Sequence, residues 1–371
     1  MPTNHAMWLP SKGAELVIGE APYPRPKTGQ IVVAAAALSA NPIDWILQVV
    51  GSVIFPWLRY PVILGSDVAG EVVAVGPAVT RFAVGDRVLG HAVGQDKSVN
   101  DAAEGAFQNY VVLRDHMASP LPADMRYETG VVLPLALSTA ACGLFQDDQL
   151  ALAPPRQDAK SNGQTVLVWG GATSVGSNAI QLATAAGYEV FATASPKNHD
   201  YVRKLGAVRA FDYRSPAVVR DLQKAMSGRT VAGAMAIGTG AAAPCLDIMG
   251  ACKGNRFVAV ASTPVSFDDA PAGGGRLYVV GKVARMILAN LELMLRARRR
   301  GARFKFMFGT TLLNNGVGRM IYEDFLPSAL ASGRYQAVPQ PQVVGHGLQA
   351  IPEALAIQKK GVSARKVIVT L

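Results

Sequence analysis

One segment constrains the fold of this chain more than any other: an apolar run that leads into a glycine-rich turn and then into a helix. The run covers residues 165–169, the turn covers 170–176, and a helical pattern covers 177–186. Such a turn presents free backbone N–H groups and the positive end of a helix dipole to a pyrophosphate. The segment therefore predicts a dinucleotide-binding unit, and with it redox chemistry.

The backbone of this turn is expected to hold the phosphates of the cofactor. A glycine-rich turn alone is common, but here a second apolar run, residues 189–194, follows at the distance of the next parallel strand. That context favours a dinucleotide site over an ordinary strand–turn–helix. The candidate residues are Gly170, Gly171, Ala172, Thr173, Ser174, Val175 and Gly176.

The residues after the second strand indicate which nicotinamide cofactor is bound. An acid there would hold the ribose hydroxyls of NAD, whereas a basic residue favours the 2′-phosphate of NADP. The chain instead has Ser195 and Lys197, and Tyr213 follows the next short strand, where its ring could stack near the adenine. A hydroxyl and an ammonium suit a phosphate. We therefore predict NADPH; for Lys197, a solvated surface lysine is the alternative.

Composition bounds the class of protein. The 371 residues suffice for two domains, and the hydrophobic share of 50% predicts a globular protein. The formal net charge is +10, but the basic residues are scattered except in residues 296–300, which we interpret as a solvated helix end. We expect no nucleic-acid partner. Three cysteines form no metal or disulfide pattern, which suits a cytoplasmic protein. The uncharged stretch 131–145 is too short to span a membrane and is predicted to be a buried helix.

Hydrophobic patterning divides the chain. The first 130 residues are strand-rich and punctuated by turns, and strand–helix alternation follows from Leu133 onwards. We predict an α/β protein in which residues 1–132 form a barrel-like β domain, 133–309 a doubly wound parallel sheet, and 310–371 a segment that completes the first domain. The apolar tail 366–369 could pair back into that domain.

Several motifs together resemble those of the medium-chain dehydrogenase/reductase superfamily. They are residues 41–44 (Asn-Pro-Ile-Asp), 64–76, 84–88 and the glycine turn, and the likeness covers nearly the whole chain. The chain is most similar to the fungal CipB-like group, and also to trans-acting enoyl reductases and quinone oxidoreductases. The resemblance implies a GroES-like catalytic domain, a Rossmann domain, an active site between them, and a monomer or homodimer.

The resemblance also places the metal positions of zinc-dependent relatives, which carry Cys, His and Cys. The matching residues here are Asn41, Ser66 and Leu135, which are not a zinc-binding set. We therefore expect no zinc. A site without a Lewis acid can still reduce an electron-poor C=C bond by hydride transfer, provided that hydrogen-bond donors stabilise the resulting enolate.

The catalytic candidates follow from the same motifs. The amide of Asn41 could donate to substrate or nicotinamide, or Asn41 could be only a turn residue. Asp44 could orient groups in the cleft or cap a helix beginning near Trp45. Thr139 is implied as a nicotinamide contact, with a helix-internal hydroxyl as the alternative. The segment with Phe308 and Thr310 resembles one that returns to the nicotinamide.

The chain departs from the family motif at the position where many relatives carry a possible proton donor. Many relatives carry lysine or tyrosine two residues after the motif aspartate, where this chain has Ile46. Another residue, water or a different substrate must then account for protonation. We predict reduction of an enone, quinone or enoyl thioester, the last free or as a carrier-bound acyl chain. The alternatives are a carbonyl reductase of secondary metabolism and a catalytically silent nucleotide- or RNA-binding member.

A last feature is the Leu-, Met- and Arg-rich segment 282–300. It is expected to be a helix that packs its apolar face on the sheet. The alternative is a surface for a carrier protein or a membrane.

Overall fold

The computed structural model describes residues 2–270 and 275–371. Its first part is built from short antiparallel strands, whose apolar and β-branched residues alternate between a buried and an outer face. The strands are β1 (Asn4–Leu9), β2 (Val17–Ala21), β3 (Gln30–Ser39), β4 (Val62–Ile63), β5 (Asp67–Val75), β6 (Arg87–His91), β7 (Tyr110–Arg114) and β8 (Ala118–Pro120). Helix α1 (Pro42–Ile54) follows β3 directly.

Helix α1 begins three residues earlier than the sequence suggested. Asn41 is its N-cap in extended conformation and Pro42 is its first residue, where a missing N–H costs nothing. The expected start near Trp45 is therefore wrong, but the expectation that Asp44 takes part in the helix cap is confirmed, because Asn41 and Asp44 form a capping box. Asp44 lies in the first turn and accepts a hydrogen bond from the Asn41 N–H at 2.8 Å.

The second part is a parallel sheet with strand order β11-β10-β9-β12-β14-β15, to which β13 adds beside β12. The side chains of β9 alternate between two buried faces. Val166 and Val168 pack with one group of helices, while Leu167 and Trp169 pack with the other. The strands are β9 (Gln164–Trp169), β10 (Glu189–Thr193), β11 (Ala207–Phe211), β12 (Thr230–Ala236), β13 (Lys253–Gly254), β14 (Phe257–Val260) and β15 (Arg303–Phe306).

Helices cover both faces of this sheet, as a doubly wound fold requires. The short helix α2 (Tyr127–Gly130) instead contacts β3 and β5 of the first domain. The helices that follow it are α3 (Pro134–Phe145), α4 (Ser174–Ala185), α5 (His199–Lys204), α6 (Val218–Met226), α7 (Ala242–Gly250) and α8 (Arg276–Arg300). The stretch Tyr127–Phe145 is apolar enough to cross a membrane by composition, but 78% of the tested window is buried inside the protein. It is a core element, as predicted, although the helix proper starts at Pro134.

The C-terminal segment returns to the first domain. Strand β17 (Arg365–Thr370) pairs antiparallel with β3 and parallel with β16 (Gln340–His346), which gives the sheet order β16-β17-β3-β5-β6-β8. The predicted return of the tail is thus confirmed, whereas the exact domain limits stay predictions. The helices of this segment are α9 (Gly316–Arg319), a π-helical turn (Met320–Phe325), α10 (Leu326–Ala331) and α11 (Ile351–Lys360).

Candidate active site

The glycine-rich turn is shaped by close backbone packing. Gly170 has a φ of +87°, and a Cβ there would lie 2.6 Å from the carbonyl oxygen of Ile237. A Cβ on Gly176 would lie 2.2 Å from the carbonyl oxygen of Gly170. Both positions therefore require glycine: a side chain at 170 would clash with the backbone of Ile237, and a side chain at 176 would push the helix away from the turn.

The start of helix α4 differs from the sequence expectation. Its first residue is Ser174, because the Thr173 hydroxyl caps the helix by accepting the Gly176 N–H at 3.0 Å. Ser174, Val175 and Gly176 thus belong to the first helical turn. Among the described residues, the N–H groups of Ala172, Ser174 and Val175 have no hydrogen-bond partner. Three free donors at a helix N-terminus form an anion site suited to a pyrophosphate.

The residues predicted for the adenosine end meet at one edge of the sheet. Thr193 and Phe211 are paired at the carboxyl ends of β10 and β11, so Ser195, Lys197 and Tyr213 all follow neighbouring strand ends. Lys197 is exposed, and Tyr213 is 40% exposed, with the guanidinium of Arg214 over its ring.

Sequence reasoning missed a contribution from the C-terminal segment to this edge. The Asn198 amide donates to the Ser195 hydroxyl at 3.2 Å and to the Ser363 hydroxyl at 3.1 Å. Ser363, which is 165 positions from Asn198 along the chain, therefore helps to hold the loop that carries Ser195 and Lys197.

A buried polar cluster lies where α1, β5 and β17 meet, and we call Ser39, Asn41, Asp67 and Lys366 the lysine cluster. The Lys366 ammonium lies 2.9 Å from Asp67 Oδ2 and donates to Asn41 Oδ1 at 2.5 Å. The Asn41 amide donates to Asp67 Oδ2 at 2.8 Å, and the Ser39 hydroxyl donates to the same oxygen. The side chains of Asp67 and Lys366 are 0% and 5% exposed.

The lysine cluster corrects the prediction for Asn41. Both ends of its amide are engaged inside the protein: the oxygen accepts from Lys366, and the nitrogen donates to Asp67 and to the Ser39 carbonyl, the latter at 3.5 Å. Its side chain is therefore not a free donor to a substrate or a nicotinamide. The sequence analysis did not identify Lys366 and Asp67 as site residues; the available signal was the lysine at the start of the otherwise apolar run 366–369.

Two buried carboxyl groups at this point have opposite pKa shifts. Burial raises the pKa of Asp44 to about 7, and the neighbouring charge of Asp67 adds to the shift. Burial also acts to raise the pKa of Asp67, but Lys366, Ser39, Asn41 and the Leu135 N–H together lower it below its ordinary value. The Leu135 N–H donates to Asp67 Oδ1 at 2.6 Å. Asp67 is thus the ionised partner, and Asp44 holds a proton near neutral pH.

Thr139 lies next to the returning segment of the sheet domain. Its hydroxyl donates to the Leu135 carbonyl at 2.8 Å. This is the helix-internal hydrogen bond that the sequence offered as the alternative to a nicotinamide contact. A Cβ on Gly309 would lie 2.9 Å from Thr139 Oγ1, so the segment with Phe308 and Thr310 packs directly against Thr139. The structure brings these three predicted residues together.

A second buried chain of hydrogen bonds fixes α3. His91 Nδ1 lies 2.9 Å from the Ser138 hydroxyl, which lies 2.7 Å from the Tyr322 hydroxyl. Tyr322 donates to the Pro134 carbonyl at 2.8 Å. Burial lowers the pKa of His91 to about 4, so this histidine is neutral. The sequence gave no sign of this chain, because its members lie on three distant segments.

The residues at the metal positions of zinc-dependent relatives do not fit zinc. An amide, a hydroxyl and an aliphatic side chain stand there, and the ammonium of Lys366 already neutralises Asp67. Within residues 2–270 and 275–371, no group of three His, Cys, Asp or Glu side chains could hold a metal ion.

Comparisons with known proteins identify the family. Residues 27–123 match the alcohol dehydrogenase GroES-like domain. The chain is 49% identical over 373 residues to "Dehydrogenase pigH" of Monascus ruber, with all of both chains covered. It is 42% identical to the zinc-binding alcohol dehydrogenase domain-containing protein cipB of Emericella nidulans, over 99% of this chain and 98% of the relative. It is 34% identical to the trans-enoyl reductase himH of Aspergillus japonicus, over 99% and 97% of the two chains.

Solved structures agree with this result. An alcohol dehydrogenase superfamily protein from Novosphingobium aromaticivorans superposes with a TM-score of 0.72 at 25% identity, over 100% of both chains. The glycine turn on a doubly wound sheet, beside a GroES-like domain, defines a nicotinamide-dependent oxidoreductase. The chain belongs to the medium-chain dehydrogenase/reductase superfamily, which confirms the resemblance and the fold class inferred from its motifs.

Proposed function

We propose that the protein is an NADPH-dependent, zinc-independent reductase of an activated C=C bond in an enone, quinone or enoyl thioester. The observation that carries this proposal is the lysine cluster, which puts a buried ammonium beside the residues that match metal ligands in zinc-dependent relatives. The trans-enoyl reductase name of one relative supports the same reaction class. Bound NADPH would supply the hydride.

The proposed role of Lys366 is to stabilise developing negative charge. When the β-carbon of the substrate receives hydride, the C=C electron pair moves towards the carbonyl oxygen and an enolate forms. An ammonium has three N–H donors, and two of those on Lys366 are engaged by Asn41 and Asp67. The third is left for the enolate oxygen. A proton from water then adds at the α-carbon, so the site needs no acid at Ile46.

The other candidates have supporting roles in this proposal. The Thr139 hydroxyl gives its proton to the Leu135 carbonyl, so its oxygen is left to accept from the nicotinamide carboxamide. Asp44 is a positioning residue that holds the Asn41 backbone. Phe308 and Thr310 are proposed to line the nicotinamide end of the site.

The reaction class can be tested with purified protein and reduced cofactor. We expect NADPH oxidation with α,β-unsaturated ketones, quinones or enoyl thioesters, and none with the matching saturated ketones. Comparing a coenzyme A thioester with the same acyl group on a carrier protein tests the carrier-bound substrate. Turnover of plain ketones and aldehydes alone would favour the carbonyl reductase, whereas tight NADPH binding without turnover of any acceptor would favour the silent binding member.

Cofactor choice gives a separate prediction. Replacing Lys197 with alanine is expected to weaken NADPH binding about 10- to 100-fold, because a charged hydrogen bond to the 2′-phosphate contributes about 1.5–3 kcal/mol. NADH binding should change less than about twofold, since NADH lacks that phosphate. Fluorescence titration of both cofactors measures the effect. Lys204→Ala is the control, because Lys204 is exposed at the end of helix α5, which begins two residues after Lys197. Equal losses for NADPH and NADH would contradict the assignment.

Two further expectations rest on the described residues. Cys142, Cys245 and Cys252 are buried free thiols, which supports the expected cytoplasmic location. Arg296 and Arg300 both pair with Asp247 at 2.8 and 2.9 Å, which supports a structural role for part of the basic run rather than a nucleic-acid site.

A further inference from the structure

Helix α8 has a large apolar surface that faces solvent. Seven of its large apolar side chains are 50–89% exposed. Their spacing in an α-helix places them within about 120° of its circumference and along about 27 Å of its length. We call this set the outer stripe, and it consists of Leu277, Val280, Ile287, Leu288, Leu291, Met294 and Leu295.

The opposite face of α8 already has its partners. Leu293 and Ala297 pack into the core of the sheet domain, and Lys282 pairs with Asp269 and donates to the carbonyl of Ser266. The expectation that the apolar face of this helix packs on the sheet is therefore correct only for the inner side. The outer stripe needs another explanation, because a monomer rarely exposes so many contiguous apolar side chains.

Exposed arginines border the outer stripe. Arg298 continues the stripe by one helical turn, Arg299 lies at its edge, and Arg285 lies further round the same side of the helix. In the described part of the chain, no carboxylate forms an ion pair with any of these three, whereas Arg296 and Arg300 both pair with Asp247. The guanidinium groups of Arg285, Arg298 and Arg299 are therefore available to an anionic partner.

The charge of α8 argues against a second copy of the helix as the cover of the stripe. The helix has seven basic residues and one acidic residue, Glu292, which already pairs with Arg296. Two such helices would bring cations together in either direction of pairing. The partner must instead offer negative charge beside an apolar layer.

We propose that the outer stripe of α8 binds the surface of an anionic phospholipid bilayer. A helix with a wide aliphatic face bordered by arginines lies flat in the membrane interface. The aliphatic side chains enter the boundary of the acyl chains, and the guanidinium groups of Arg285, Arg298 and Arg299 reach the lipid phosphates. A bilayer needs no groove to receive a stripe on the convex side of a helix. Because its inner face is fixed on the sheet domain, α8 anchors the protein to the bilayer without crossing it. This proposal is independent of the reaction proposed above.

Vesicle sedimentation tests the surface and its charge. The wild type is expected to bind phosphatidylcholine vesicles containing about 30% phosphatidylserine about 100-fold more tightly than pure phosphatidylcholine vesicles, because each of three arginines near an anionic surface contributes roughly fivefold. Arg298→Gln/Arg299→Gln should lose about 30-fold in affinity for the anionic vesicles on the same basis. Leu288→Gln/Leu291→Gln keeps the charge and should lose binding to both kinds of vesicle.

Two double variants are matched controls that should bind like the wild type. Val84→Gln/Val343→Gln removes two apolar side chains that are 67% and 51% exposed outside α8. Arg156→Gln/Lys160→Gln removes two exposed cations near the C-terminal end of α4, a helix that packs on the other face of the sheet. Unchanged circular dichroism and melting temperature would show that all four variants are folded.

Fluorescence quenching tests whether the stripe enters the bilayer. An environment-sensitive dye on Leu291→Cys should be quenched by lipids with brominated acyl chains, whereas the same dye on Val343→Cys should not. The three native cysteines are buried and do not take up the dye. A wild type that does not bind anionic vesicles, equal losses in the control variants, or binding without quenching at Leu291→Cys would each overturn the proposal. So would a lipid-free dimer that Leu288→Gln/Leu291→Gln dissociates, because the stripe would then belong to a second copy.

Discussion

Replacing Lys366 with methionine is expected to lower the free energy of unfolding by about 3–5 kcal/mol, the cost of leaving a buried carboxylate without its partner. Asp67 is fully buried and ionised, and Lys366 provides the only cationic side chain paired with it in the described part of the chain. Chemical denaturation at neutral pH measures the loss. The variant should also lose enone reduction, because the proposed oxyanion donor is absent.

A second variant separates the stability effect from the catalytic effect. In Lys366→Met/Asp67→Asn the buried charge is gone, and the Asn41 amide can turn so that its freed oxygen accepts from the new amide. Most of the stability should return, while the reductase activity should stay lost. Recovery of activity together with stability would contradict the proposed role of Lys366.

A matched control exists on α8. Lys282 is also buried, but its partner Asp269 is 63% exposed and can be hydrated when the lysine is removed. Lys282→Met is therefore expected to cost no more than about 1 kcal/mol and to leave activity unchanged. A similar large loss in both variants would show that burial of the lysine stem, rather than the stranded carboxylate, determines the effect.

The proton held by Asp44 should make stability depend on pH. Its pKa is about 7 in the folded protein and 3.8 as an ordinary carboxyl group. Between these values the native state binds more protons than the unfolded state, so the free energy of unfolding falls as the pH rises from about 4 to about 7. The separation of about three pH units corresponds to roughly 4 kcal/mol. The stabilisation by the Asp44 proton is lost completely once the pH exceeds the pKa of Asp44 in the folded protein.

Asp44→Asn is expected to remove this contribution while keeping the acceptor for the Asn41 N–H. Subtracting the variant's pH profile from that of the wild type isolates Asp44, because the other carboxyl groups are common to both. Asp86→Asn is the control: Asp86 also accepts a backbone N–H from three residues earlier, from Ala83 at 2.8 Å, but at an exposed turn. A flat difference between wild type and Asp44→Asn would show that Asp44 titrates normally.

Local patterns were sufficient to predict the strand, glycine-rich turn and helix of residues 164–185. The strand, turn and helix around Gly170–Gly176 are contiguous, and the glycine at 176 follows from backbone crowding within that short segment. The glycine at 170 depends also on the carbonyl of Ile237, which follows a neighbouring strand. Even here the predicted first residue of the helix was wrong by three positions, because the Thr173 cap starts the helix at Ser174 rather than at residue 177. Boundaries of this kind depend on a single hydrogen bond that the pattern of apolar residues does not report.

The amino-acid sequence by itself determined the two-domain α/β fold, the glycine-rich strand–turn–helix and the return of the last strand, because each follows from neighbouring residues or from a motif. Only the tertiary structure decided that Lys366 contacts Asn41, 325 residues away, that the Asn41 amide is consequently engaged inside the protein, and that Leu277 and Leu288 of α8 are among the most exposed apolar side chains of the described residues. The physical reason is that charge pairing and burial depend on which distant segments meet.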